Sequence, residues 1–236
     1  MAVAAPSFQG FQPEAIQFLA DLAANNDREW FQPRKRDFER LLKEPLEALV
    51  EALAVRFAER DLPLVADPKR SIFRIYRDTR FSKDKSPYKT NVGASFPYAG
   101  GPAGKRGDAH EHAGGGYFHF QPGEMFFGGG MYMPDKERLA AWRRWVIDRN
   151  DEVHAAIDDP GFKAAFEHVN AHDPLKRVPP GFPADHPDAE LLKMRDVVFG
   201  RRLADEEVLS PDLPDVLADG YAAAMPVFRL LASLRG

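Results

Sequence analysis

The chain has 236 residues, a formal net charge of −4 and no cysteine. A chain of this length can bury enough apolar surface to fold as one domain, over residues 1–236, without disulfides. The absence of cysteine excludes disulfide frameworks, thiolate catalysis and cysteine zinc sites, and the net negative charge argues against a general polyanion binder.

The first part of the chain predicts helices over residues 12–60. Pro13 suits a first helical position, and apolar residues recur at helical spacing between residues 16 and 57. Asp27 is well placed to cap a second helix. Pro45 predicts a kink or a break in the helix that follows.

Residues 72–130 predict an antiparallel sheet. Stretches rich in β-branched and aromatic residues form four predicted strands, at 72–81, 90–96, 117–121 and 124–127. Pro122 and Gly123 predict a tight turn that joins the last two strands in a hairpin. A loop with seven glycines, residues 100–116, precedes that hairpin.

Helices return over residues 135–234. Apolar residues from Leu139 onward recur at helical spacing, residues 174–187 are typical of an extended surface segment, and Gly220 and Pro226 interrupt the last helical region. Helices, then a sheet, then helices predict an α+β fold, in which an antiparallel sheet is flanked by N-terminal and C-terminal helices.

The amino terminus lacks the features of a signal peptide, since it has neither a basic start nor an apolar core. No apolar run approaches the length that spans a bilayer. We therefore expect a cytoplasmic protein without a membrane partner.

Positive charge is concentrated in residues 69–89, which we call the basic segment. It holds eight basic residues and two acidic ones, interleaved with aromatic and aliphatic residues that would hold the charged groups in place. Guanidinium groups suit bidentate binding of phosphate or carboxylate, and lysine adds point charge. The basic segment therefore predicts a binding site for a small anionic, phosphorylated ligand.

The predicted ligand contacts fall into two kinds. The charged contacts are Arg74, Arg77, Arg80, Lys83, Lys85 and Lys89. The hydrogen-bonding contacts are Ser82 and Tyr88. The glycine loop would act as a lid that brings Lys105 and Arg106 to the bound anion. This loop does not have the spacing of a nucleotide-binding P-loop, because Arg106 stands where a hydroxyl residue belongs, and the sequence identifies no cofactor.

Residues 73–89, FRIYRDTRFSKDKSPYK, have the form F-R-x-x-R-D-x-R-F-S-x-D-K-x-P-Y-K. This motif resembles the signature of a family of bacterial and fungal proteins that is known as a domain of unknown function. Further resemblances lie at residues 25–31, 129–134 and 186–193. The resemblance runs over nearly the whole chain and implies one full-length domain, but it implies no activity and no catalytic residues.

Three alternative interpretations of the sequence stay open. A metal-dependent hydrolase or nuclease would use the carboxylates of Asp78 and Asp84, with His110 and His112 of the glycine loop as metal ligands. A nucleic-acid-binding module would continue the basic segment as a groove, with further arginines on the same face, namely Arg143, Arg144, Arg201 or Arg202. A purely structural role would have the arginines of the segment satisfied by internal carboxylates and carbonyls.

Overall fold

A computed structural model describes residues 7–80, 82–99 and 114–234. It confirms the α+β class, because a four-stranded antiparallel sheet is flanked by helices from both ends of the chain. The strands follow the order β1-β2-β3-β4 across the sheet. Their bounds are Val92–Pro97 for β1, Gly115–Phe120 for β2, Phe126–Met131 for β3 and Val197–Arg202 for β4.

The N-terminal part of the chain is helical from the predicted start. Its helices are α1 at Pro13–Ala24, α2 at Arg28–Phe31, α3 at Lys35–Phe38, α4 at Glu44–Glu59 and, after a turn, the short α5 at Pro68–Ser71. Pro13 begins α1. The predicted cap of α2 is confirmed, because Asp27 Oδ1 accepts a hydrogen bond from Trp30 N at 2.8 Å.

The chain stays helical around Pro45, although two turns depart from α-helical geometry. A 3₁₀ turn at Gln32–Arg34 lies between α2 and α3, and a π-helical turn at Glu39–Lys43 lies between α3 and α4. Pro45 stands in the first turn of α4, where a missing N–H costs little. The π-helical turn before Pro45 therefore takes the place of the predicted kink or break.

The predicted hairpin between β2 and β3 is confirmed. Glu124 N donates to Gln121 O at 2.9 Å across the turn, and Gly123 has a φ of 76°, which favours glycine at this position. Phe118 pairs with Phe127, and His119 pairs with Phe126. The hairpin thus forms the centre of the sheet.

Two predictions about the strands are wrong. Residues 72–80 form no strand; they make isolated bridges, Ile72 to Ala94 and Tyr76 to Tyr88, because the basic segment folds back on itself. Arg77 N donates to Pro87 O at 3.0 Å, and Lys89 N donates to Ile75 O at 2.7 Å. Conversely, β4 lies within the region predicted to be helical, and it pairs along the whole of β3.

Helices from both ends of the chain cover one face of the sheet. Phe11, before α1, stacks on Phe120 with ring centroids 4.7 Å apart, and Phe57 of α4 meets Phe96 edge-on at 5.6 Å. The opposite face carries Tyr117, which contacts Phe73 of the basic segment with ring centroids 6.0 Å apart. The basic segment therefore lies against the face that α1 and α4 do not cover.

The C-terminal part of the chain supplies the remaining helices. They are α6 at Lys136–Asp148, α7 at Asn150–Ile157, α8 at Pro160–Phe166, α9 at Ala189–Lys193, α10 at Asp205–Leu209, α11 at Leu213–Ala223 and α12 at Met225–Ser233. Residues 174–187 form no helix or strand, as predicted. Within the described ranges, no helix combines the length and the apolar character that a membrane crossing requires.

Gly220 does not interrupt the last helical region, contrary to the prediction. It lies inside α11, where a Cβ atom would stand 2.4 Å from Cε2 of Phe127. Glycine is therefore used here for a close approach between helix and sheet. The break comes at Pro226, in the first turn of α12.

Candidate functional site

Tyr88 anchors the basic segment to the N-terminal helices. Its side chain is buried, and its ring stacks on that of Phe31 with centroids 4.1 Å apart. The Asn26 side chain binds both backbone polar groups of Tyr88. Tyr88 N donates to Asn26 Oδ1 at 3.1 Å, and Asn26 Nδ2 donates to Tyr88 O at 3.0 Å. The Tyr88 hydroxyl accepts from Gln32 Nε2 at 3.4 Å. Tyr88 thus holds the segment in place.

Arg77 is paired with an acid of its own segment. Its guanidinium binds Asp84, whose Oδ1 also accepts from Ser86 N at 2.9 Å and from Ser86 Oγ at 2.6 Å. These bonds from Ser86, and then the bond from Arg77, hold the pKa of Asp84 well below its usual range. Ser82, a predicted ligand contact, accepts from Arg77 Nη2 at 3.5 Å.

Arg80 is paired in the same way. Its Nη2 lies 2.7 Å from Asp78 Oδ2, and its Nε lies 3.0 Å from Asp78 Oδ1. Hydrogen bonds from Arg80 lower the pKa of Asp78 to about 2. Arg70 meets Asp67 at 3.7 Å. Arg70, Arg77 and Arg80 thus each have a carboxylate partner within the protein, and each candidate catalytic carboxylate, Asp78 and Asp84, is engaged by an arginine.

Five other cations of the segment have no such partner among the described residues: Lys69 and the four predicted contacts that follow. In the part of the chain that the structure describes, Arg74, Lys83, Lys85 and Lys89 form no ion pair. Lys85 Nζ donates to the carbonyl of Thr79 at 2.8 Å. These side chains carry the surplus positive charge of the segment.

A pocket of about 310 Å³ opens between the basic segment and α2. We call it the cationic pocket; it is lined by Arg28, Tyr76, Arg77, Thr79, Lys85, Pro87 and Tyr88. Three of these side chains are cationic, and no carboxylate lines the pocket within the described residues. Among the predicted contacts, Arg77, Lys85 and Tyr88 reach this pocket.

A second pocket of about 290 Å³ adjoins the first. It is lined by Ala23, Asn26, Arg77, Asp84, Ser86, Tyr88, Lys89, Thr90 and Asn91. Arg77 and Tyr88 line both pockets and form a shared wall. Lys89 is the predicted contact that belongs only to the second pocket. Arg74, Arg80, Ser82 and Lys83 line neither pocket.

Arg28 is the cation of the pocket that the sequence did not predict. It belongs to the first turn of α2, which the Tyr88 anchor brings beside the basic segment. Its position in the sequence, within residues 25–31 that carried part of the family resemblance, was the available signal. No local pattern relates Arg28 to Lys85, because their proximity depends on tertiary packing.

One of the arginines named as a candidate nucleic-acid contact does not lie at the surface. Arg143 is buried; its Nε donates to Leu192 O at 2.8 Å and its Nη2 donates to Met194 O at 3.0 Å. Its neighbour Trp142 is fully buried. Arg201 Nη2 binds Glu207 at 2.9 Å.

The proposed metal ligands His110 and His112 lie outside the described residues, as do Lys105 and Arg106 of the glycine loop. Across residues 7–80, 82–99 and 114–234, no group of three or more histidine, aspartate and glutamate side chains is arranged to hold a metal ion.

A family model described as a conserved hypothetical protein, DUF2461, matches residues 14–229. The match contains Arg28, the whole basic segment and all four strands. Neither a curated protein nor a solved structure matches the chain. The match covers most of the 236 residues, and the chain therefore belongs to the DUF2461 family of conserved hypothetical proteins.

Proposed function

We propose that this protein binds a small phosphorylated ligand, and that its phosphate occupies the cationic pocket. The observation that carries the proposal is the charge of the lining. Arg28, Arg77 and Lys85 converge on one pocket, and the described residues add no carboxylate to it. In keeping with the absence of cysteine, we place this binding in the cytoplasm.

The donors of the pocket suit a phosphate. An ammonium group has three N–H donors, and Lys85 uses one of them on the carbonyl of Thr79. Arg28 forms no ion pair within the described ranges, so its guanidinium is available for bidentate hydrogen bonds. Arg77 is held by Asp84, which fixes where its guanidinium lies. A phosphate would therefore meet two cations that have no counter-ion among the described residues, and a third, Arg77, that is already fixed in position.

The pocket is formed by side chains that are themselves anchored. Tyr88 is fixed by Phe31 and Asn26, and Arg77 is joined through its backbone to Pro87. A site whose groups are already in place loses less conformational entropy when the ligand binds. The pocket is also open to solvent, so salt will weaken the electrostatic attraction.

Titration calorimetry with inorganic phosphate at low ionic strength tests the proposal. We expect saturable binding and a raised melting temperature, because a ligand that binds only the folded state stabilises it. Lys85→Met and Arg28→Met should each weaken binding by about tenfold, because hydrogen bonds to charged groups contribute about 1.5–3 kcal/mol.

Lys83→Met is the matched control, because it removes one positive charge from the same segment at an exposed residue that lines neither pocket. It should leave the phosphate affinity nearly unchanged. Equal losses in Lys83→Met and Lys85→Met would show diffuse attraction to the segment and would overturn the cationic pocket as the site.

A further inference from the structure

Lys89 is a cation without a counter-ion among the residues that the structure describes. Its side chain is half-buried, with Nζ 5.1 Å from the centre of the Phe73 ring, and it forms no ion pair within the described part of the chain. Burial, and then the charge of Arg74, lower the pKa of Lys89. An anion from outside the protein would stabilise these two neighbouring cations, one of which is half-buried.

Two other polar side chains of the second pocket, Asp84 and Asn26, are already bound to protein partners. Asp84 is bound by Arg77 and Ser86, and the Asn26 amide is bound to the backbone of Tyr88. Lys89 is therefore the charged donor that this pocket offers to a ligand.

The two pockets are adjacent, because Arg77 and Tyr88 line both of them. A single ligand that extends across this wall would reach Arg28 and Lys85 on one side and Lys89 on the other. Neither pocket alone would use all of these cations.

We propose that the ligand carries two anionic groups, one in each pocket. The first group binds Arg28 and Lys85 in the cationic pocket, and the second binds Lys89 in the second pocket. This inference rests on the proposed function and adds the class of ligand, a compound with two phosphate-like groups joined across the Arg77–Tyr88 wall.

The experiment compares inorganic phosphate, pyrophosphate and tripolyphosphate by calorimetry, at constant ionic strength and without divalent metal ions. The two polyphosphates offer linked anionic groups at two different spacings. We expect at least one of them to bind about tenfold or more tightly than phosphate, because the second contact becomes intramolecular once the first is made.

Lys89→Met should remove this advantage, and should weaken polyphosphate binding far more than the binding of inorganic phosphate. Lys83→Met, which removes the same charge outside both pockets, should keep the advantage. Lys85→Met should weaken all three ligands. Lys89 is half-buried, so Lys89→Gln replaces Lys89→Met as the test variant should Lys89→Met not fold. Arg74→Gln, at an exposed residue that lines neither pocket, is then its matched control.

Different results overturn the two proposals. If phosphate binds through Lys85 but neither polyphosphate binds more tightly, the two-group ligand is wrong and the proposed function stands. The two-group ligand is also wrong, and the proposed function again stands, if Lys89→Met and Lys83→Met reduce the polyphosphate affinity equally. If phosphate binds and Lys85→Met has no effect, the proposed function itself fails.

Discussion

Asn26 binds both backbone polar groups of Tyr88, at 3.1 Å and 3.0 Å, although the two residues are 62 positions apart in the chain. The contact joins the turn between α1 and α2 to the end of the basic segment. Arg28, two residues after Asn26, and Lys85, three residues before Tyr88, both line the cationic pocket. The N-terminal helices are therefore part of the candidate site.

Asn26→Ala tests this anchor. The substitution leaves the Tyr88 N–H and carbonyl without their partner, and we expect the free energy of unfolding to fall by about 1–3 kcal/mol in urea denaturation. Phosphate affinity should fall as well, because the shared wall of the pockets loses its support. Asn25→Ala is the control, since that side chain bonds an exposed carbonyl, that of Asp21. Equal stability losses in the two variants would contradict the anchoring role.

Gly220→Ala should destabilise the protein, although alanine is the better helix former. A Cβ at this position would lie 2.4 Å and 2.5 Å from two atoms of the Phe127 ring, so the helix or the sheet must move. We expect a loss of about 1–3 kcal/mol in the free energy of unfolding. Gly200→Ala is the control, because its nearest neighbour would be 3.4 Å away. A Gly220→Ala protein as stable as the wild type would show that the close approach is not required.

Arg143→Met should destabilise the end of α9. The guanidinium of Arg143 donates to the carbonyls of Leu192 and Met194 from a buried position, and methionine leaves both without a donor. We expect the free energy of unfolding to fall by about 2–4 kcal/mol. Arg144→Met, at an exposed neighbouring position, should cost less than about 0.5 kcal/mol. Chemical denaturation of the two variants measures the difference.

His154 should stabilise the protein more at acidic than at alkaline pH. Asp158 raises the pKa of His154 the most, and Asp188 adds to this against the opposing effect of burial. His186 lies 4.0 Å from Asp188, and Lys163 binds Asp158 at 3.1 Å. The contribution is fully present below the unfolded pKa of about 6.5 and is lost as pH rises through the raised folded pKa. His154→Gln should therefore lower stability more at about pH 5.5 than at about pH 8.5.

His119 should have the opposite dependence on pH. Burial lowers the pKa of His119, against opposing contributions from Glu124 and Gln121. Burial also raises the pKa of Tyr117 to about 12, so its hydroxyl stays protonated; this hydroxyl lies 2.8 Å from His119 Nδ1. Asn91 Nδ2 lies 3.5 Å from the same atom. The stability that the neutral imidazole provides is present above about pH 6.5 and is lost as pH falls through the folded pKa.

His119→Gln keeps a side chain that can hydrogen-bond to Tyr117 and removes the titration, so the decline in unfolding free energy on the acid side should become shallower. Urea denaturation of both histidine variants over the same pH range checks the pair. If His119→Gln and His154→Gln changed the pH dependence of the unfolding free energy in the same direction, this would contradict the pKa shifts assigned to the two histidines.

The parts of the fold that sequence predicted correctly rest on local chemistry. The Asp27 cap needs only an acceptor three residues before Trp30, and the hairpin turn needs a glycine at Gly123, where φ is positive. Each of these signals acts within a few residues, so no knowledge of distant contacts is required.

The errors arose where a distant partner decided the structure. Residues 72–80 have the composition of a strand, but Tyr76 and Lys89 bond within the basic segment, and the segment pairs mainly with itself. β4 becomes a strand because the edge of β3 is available to it. Arg143 was a candidate contact of a nucleic-acid-binding face, but it is buried and donates to the carbonyls of Leu192 and Met194.

The candidate site was predicted in its charge but not in its shape. The surplus of cations could be counted from the sequence, whereas the internal pairing of Arg77 and Arg80 could not, since several acids and bases lie within reach of one another. The pocket itself depends on Arg28, which the chain supplies from 41 residues before the nearest end of the basic segment, Lys69.

The bonds between Asn26 and Tyr88 close a loop of chain that contains most of the N-terminal helices. A synthetic peptide of residues 69–89 would carry every charge of the basic segment, yet it would have neither pocket. Anion binding thus requires the folded chain. The fraction of protein that binds an anion should therefore follow the folded fraction through denaturation.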